Sequence, residues 1–96
     1  MWKVFARPVD FRLLTGLDAL TEYKFGSRVI AHKFCSHCGV RPFASASMEQ
    51  MGVAFYAINV ACLDDATPQE LAEAPVRYED GRHDAWDKAP EETRYL

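Results

Sequence analysis

Apolar and other residues alternate over residues 2–6, and this period of two predicts a short strand ended by Arg7-Pro8. Residues 11–14 predict a second short strand, closed by Thr15-Gly16. Trp2 and Phe11 are read as core packing and not as ligand contacts. Residues 20–25 alternate with Thr21, Tyr23 and Phe25 on one face and Leu20, Glu22 and Lys24 on the other. Gly26-Ser27 then suits a two-residue type II′ turn, so residues 28–35 are the returning strand of a hairpin. Val29, Ala31, Lys33 and Cys35 share one of its faces. Residues 40–46 predict a further strand, and Pro42, lacking an N–H, suggests an edge position or a bulge. Residues 45–52 are small and polar and read as a loop, with Met48 and Met51 packing in it.

Residues 53–63 carry the strongest strand pattern. Both faces are apolar, which predicts a central strand covered on both sides. Asn59 interrupts it and is read as a hydrogen-bonded tie to a loop. Cys62 falls on an apolar face and is read as a small buried hydrophobe. Thr67-Pro68-Gln69-Glu70 is a capping-box signature that opens a helix, and Pro75 stops it. Residues 76–78 predict a last strand and Asp80-Gly81 a turn. Residues 83–96 are charged, with Trp86 the main apolar anchor. The expected architecture is one mainly β domain over residues 1–96, with one short helix.

Composition narrows the function classes. Ninety-six residues make one domain with a modest core, which a metal or a partner chain would help to hold. The formal charge of −3 argues against general binding to nucleic acid or to an anionic membrane surface. Three cysteines, an odd count, point to a reducing compartment and not to a disulfide framework. The start of the chain has no apolar h-region, and the apolar run at residues 53–58 is too short to span a bilayer. The cytoplasm is the expected location.

The candidate chemistry lies in Phe34-Cys35-Ser36-His37-Cys38-Gly39. Two cysteines at this spacing can aim both sulfurs at one point, as a tetrahedral zinc site requires. Gly39 can take the positive φ that closes such a turn, and backbone N–H groups can then share the charge of the sulfurs. Three readings of the pair stay open: a zinc half-site, a redox dithiol, or two inert thiols. The zinc half-site is favoured, because a redox dithiol normally opens a helix and Gly39-Val40-Arg41-Pro42 disfavours one. The other half of a four-ligand shell is not evident. His32 lies on the strand face opposite Cys35, His37 reads as exposed within the turn, and Cys62 reads as core. His83, near a turn, stays open as a ligand. The sequence carries no H-x-E, HExxH or Ser-His-Asp spacing and no glycine-rich phosphate loop.

Taken in order, three stretches carry a resemblance. They are Phe11-Arg12-Leu13-Leu14-Thr15-Gly16, Leu20-Thr21-Glu22-Tyr23-Lys24-Phe25-Gly26, and His32-Lys33-Phe34-Cys35-Ser36-His37-Cys38-Gly39-Val40. Asn59-Val60-Ala61-Cys62-Leu63-Asp64 and Tyr78-Glu79-Asp80-Gly81-Arg82 follow. The chain resembles the second half of a GFA domain, the glutathione-dependent formaldehyde-activating family, to which centromere protein V is also similar. The resemblance implies a β-tent fold of small antiparallel sheets around zinc. It implies carbon–sulfur lyase chemistry on glutathione–aldehyde adducts, with a glutathione-type thiol as partner. It makes Cys35 and Cys38 the later pair of a four-cysteine structural zinc site. The family's earlier pair and its catalytic zinc cluster lie upstream of the matched stretches, and this sequence has no cysteine before Cys35. No catalytic residue carries over, and a chain without its N-terminal portion, or a degenerate member, is expected. Two chains could close a four-sulfur site across a dimer axis. Asp80, Arg82 and His83 are the residues that could line a remnant pocket for a small thiol. The alternative is a non-catalytic structural or interaction domain.

Overall fold

The computed structural model describes residues 1–48 and 52–96. They form two compact units, Met1–Cys62 and Leu63–Leu96. The first is a five-stranded antiparallel sheet of β1 (Lys3–Ala6), β2 (Leu20–Tyr23), β3 (Ile30–Cys35), β4 (Phe43–Met48) and β5 (Val53–Asn59), in the order β1-β5-β4-β3-β2. The protein is thus mainly β, as its alternation predicts. Phe11 packs on one face of the sheet, stacked on Tyr56 at 3.9 Å between ring centroids and 4.9 Å from Phe43.

Several elements differ from the sequence expectation. Residues 45–48 are not a loop: Ser45, Ala46, Ser47 and Met48 pair with Tyr56, Phe55, Ala54 and Val53. Small side chains are compatible with a middle strand, because both of its ladders are made by backbone groups. Met51 lies outside the described residues. Pro42 marks neither an edge nor a bulge in a ladder. It stands just before β4, the middle strand, and its carbonyl accepts the Asn59 N–H at 2.9 Å. Residues 11–14 form no strand; a single 3₁₀ turn, Pro8–Asp10, delivers Phe11 to the sheet instead. Trp2 is exposed, not core, although its carbonyl accepts the Val60 N–H.

The hairpin turn forms, with the Arg28 N–H donating to Phe25 O at 2.9 Å and Gly26 at φ 59°. Arg28 is also left-handed, at φ 62°, so the ladder begins only at Tyr23 opposite His32. A two-residue loop would have set Tyr23 opposite Ile30. The shift is two residues, so every side chain keeps its face. Lys33 pairs across the strands with Glu22 at 2.7 Å, which supports this register and holds the Glu22 carboxyl below its usual range. β5 is interior, but its first residues are exposed, and it ends at Asn59 in a 3₁₀ turn, Val60–Cys62.

In the second unit, α1 (Pro68–Glu73) begins with a complete capping box between Thr67 and Glu70, as expected. Residues 76–78 form no strand. Asp80 instead bridges Ala85, and its N–H donates to Lys88 O at 2.9 Å. Gly81 lies on the Trp86 ring: an added Cβ would sit 2.6 Å from Cη2 and 2.8 Å from Cζ3. Gly81→Ala should therefore destabilise this unit by about 1–3 kcal/mol, the range for overpacking. Trp86 fluorescence during melting, in a Trp2→Phe background, checks this; an unchanged midpoint would contradict the packing.

Candidate metal centre

Cys35 is the last residue of β3 and lies opposite Leu20. The sheet thus holds its backbone before the turn begins. The Cys35 N–H donates to Val40 O and the Gly39 N–H to Cys35 O, both at 2.8 Å. These bonds fold residues 35–40 into a closed knuckle. Gly39 has φ 78°, and nothing lies within 4 Å of where its Cβ would be. Glycine is required there for its backbone angle and not for space. Ser36 anchors the knuckle, with its N–H and its hydroxyl both donating to Ala19 O, at 2.8 and 2.9 Å.

Inside the turn, the His37 N–H donates to Cys35 Sγ at 3.4 Å. The Cys38 N–H, then that of His37, then the Cys38 thiol hold the Cys35 thiol below its usual range. Backbone donors facing a sulfur are the arrangement that stabilises a metal-bound thiolate. No helix opens at Cys35, so the helix N-terminus that activates a redox dithiol is lacking. Cys35 is half-buried and Cys38 exposed.

The other candidate residues stand elsewhere. His32 is buried on the opposite face of β3, with its ring stacked on Phe25. Its Nδ1 lies 2.8 Å from Nη2 of Arg41, which can only donate. Burial, then Arg41, then Lys3 hold its pKa down, so the ring is neutral and its Nδ1 lone pair is taken. His37 is exposed, as read. Cys62 is exposed, not core. The strand alternation that assigned it to the interior stops where the chain leaves the sheet at Asn59. Asn59 itself is the expected tie: its Nδ2 donates to Arg41 O and its Oδ1 accepts the Ala61 N–H, each at 3.0 Å.

Asp80 and His83 come together in the second unit. His83 Nδ1 lies 2.8 Å from Oδ2 of the buried Asp80, whose carboxyl is held low chiefly by this contact. The carboxylate fixes the proton on Nδ1 and sets the ring's orientation. Arg82 is exposed beside it. Sequence reading named these residues but missed the pair, for which Asp three residues before His was the available signal. The Arg41–His32 contact was also missed, and no local spacing announces it.

Comparison with known proteins gives the context of this knuckle. The family described as glutathione-dependent formaldehyde-activating enzyme (GFA) matches residues 1–80. The chain belongs to this family. A solved relative, the crystal structure of a Rhodobacter sphaeroides protein, is 34% identical to this GFA chain with a TM-score of 0.61. The alignment covers 76% of this chain and 64% of that one, so this GFA chain spans less than two thirds of its solved relative.

The donors of this GFA domain fit half of a zinc shell. Cys35 and Cys38 supply two sulfurs on one turn. Among the described residues, no group of three or more His, Cys, Asp or Glu could hold a metal ion. No helix among them is long and apolar enough to cross a membrane.

Proposed function

We propose that this chain is a zinc-binding GFA domain in which Cys35 and Cys38 supply two thiolates to a structural zinc. The observation that carries this reading is the His37 N–H donating to Cys35 Sγ within the turn closed by Gly39. Zinc bound there would cross-link the end of β3 to the knuckle and neutralise sulfur charge. The chain's own part is to hold both sulfurs in place: β3 fixes Cys35, Ser36 anchors the turn to Ala19, and Gly39 closes it.

The family's name implies chemistry on a glutathione–formaldehyde adduct, in which a C–S bond is made or broken. A catalytic zinc needs about three protein ligands and an open position. Cys35 and Cys38 are two ligands, one short of that set, and no group of three gathers among the described residues. We propose that this chain alone does not catalyse that reaction and acts as a zinc-stapled structural domain in the cytoplasm. The zinc-loaded protein, mixed with glutathione and formaldehyde, should show the uncatalysed exchange rate by NMR. A faster rate, abolished by a chelator, would make the chain an enzyme.

A further inference from the structure

His32 is a buried ionisable side chain that the zinc reading leaves unused. It stands in β3 between Tyr23 of β2 and Ala44 of β4, and its ring stacks on Phe25 with centroids 5.2 Å apart. Arg41 reaches it from the connection into β4, with Nη2 2.8 Å from Nδ1. A guanidinium can only donate, so this bond exists only while Nδ1 carries no proton. Arg41 is held at its other end as well, because its carbonyl accepts from Nδ2 of Asn59 at 3.0 Å. The next carbonyl, that of Pro42, accepts the Asn59 N–H at 2.9 Å, and Asn59 is the last residue of β5. The connection at residues 41–42 is thus fastened to β3 by a side chain and to β5 by its main chain. Arg41 is exposed, so its guanidinium can pass into water once released.

We propose that His32 and Arg41 form an acid-released latch: a proton on Nδ1 of His32 expels the Arg41 side chain and loosens the connection from β3 to β4. One proton from solvent takes the lone pair that accepted from Nη2. The hydrogen bond then breaks, and two cations would face each other at the same contact. The charges that bear on the ring, Arg41 and Lys3 of β1, are both positive. Lys33, next to it on β3, points to the opposite face and pairs there with Glu22. Tyr23 and Ala44, opposite it on β2 and β4, bring no charge near neutral pH. Burial, then Arg41, then Lys3 hold the imidazole below its ordinary range. A released ring takes up its proton near the ordinary value, about 6.5, whereas the latched ring takes it up only at lower pH. The latch is therefore at full strength above that value and weakens as pH falls below it. For one proton, the ratio of latched to released chain drops by up to about tenfold per pH unit. The latch needs no metal at the knuckle.

The test is an NMR titration of the reduced full chain from about pH 8 to about pH 5. The His32 ring protons should titrate below the ordinary value, with the Arg41 Nε–H and the Asn59 side-chain amide shifting at the same midpoint. Hydrogen-exchange protection of the Asn59 backbone amide should fall in that step. Titration of His32 at or above the ordinary value overturns the proposal, as does titration that leaves the Arg41 and Asn59 signals unmoved. Arg41→Met, at an exposed position, should raise the His32 midpoint and make Asn59 protection depend less on pH; an unchanged midpoint overturns the latch. His32→Asn keeps an acceptor at the position of Nδ1 and does not titrate. In that variant the Arg41 signals and Asn59 protection should stay constant across the range. A step that persists there would place the trigger on another group, such as the cysteines of the knuckle, and overturn the assignment to His32. The native titration and Arg41→Met decide the matter even where His32→Asn does not fold.

Discussion

Phe43→Ala is expected to bring the Met1–Cys62 unit to the edge of unfolding. Phe43 is 8% exposed and begins β4, the middle strand, between Lys33 and Ile58. Its ring lies 4.9 Å from Phe11 and 6.0 Å from Tyr56. These three rings, closed by the Phe11–Tyr56 stack, are the main aromatic packing on that face. Among the described residues, no large side chain is completely buried, so the core is shallow and its other buried members are small: Ala31, Ala44, Ala46, Ala57 and Val60. A buried Phe→Ala change costs about 3–5 kcal/mol. Whole domains are stable by only about 5–15 kcal/mol, and a small one lies low in that range. Urea unfolding followed by far-UV circular dichroism should show the midpoint collapse, with Phe43→Leu retaining much of it. A midpoint unchanged by the alanine would mean the ring cluster is not the core of this unit.

The second large effect is expected from zinc. Removing it with a chelator should lower the melting temperature of the same unit, and adding it back should restore it. Ligand at about a thousand times its dissociation constant stabilises the bound state by about 4 kcal/mol. For a domain of this size that is on the order of 15 °C or more. The knuckle is where the effect originates, because metal would tie Cys38 to the strand end held at Cys35. Cys38→Ser is the cleaner variant: Cys38 is exposed, so the metal-free fold should persist while the zinc response disappears. Cys35→Ser should erase the response too, with some loss of baseline stability from its half-buried position. Zinc-dependent melting that survives in both variants would place the metal elsewhere on the chain.

What the sequence determined by itself is local. The capping box at Thr67 and Glu70, the positive φ at Gly26, and the CxxCG knuckle with Gly39 left-handed are each set within a few residues. The hydrogen bonds that close them span two to five positions, so residue type and spacing suffice to read them. Alternation also told strand from helix, and the ordered run of motifs was enough to point to the GFA family. The tertiary structure decided what depends on distant partners. Pro42 sits beside a middle strand because Asn59, seventeen residues on, uses its carbonyl. Residues 45–48 are strand because β5 pairs with them, although their small polar side chains read as loop. Phe11 is core without being in a strand, since Tyr56 and Phe43 receive its ring. Cys62 is exposed because the chain turns out of the sheet at Asn59, where a period-of-two reading still counts it inward. The Arg41–His32 contact joins residues nine apart across the knuckle. Such facts follow from which strands pair and in what register, a long-range choice that the sum of backbone ladders and packed faces makes and that no short window of sequence contains.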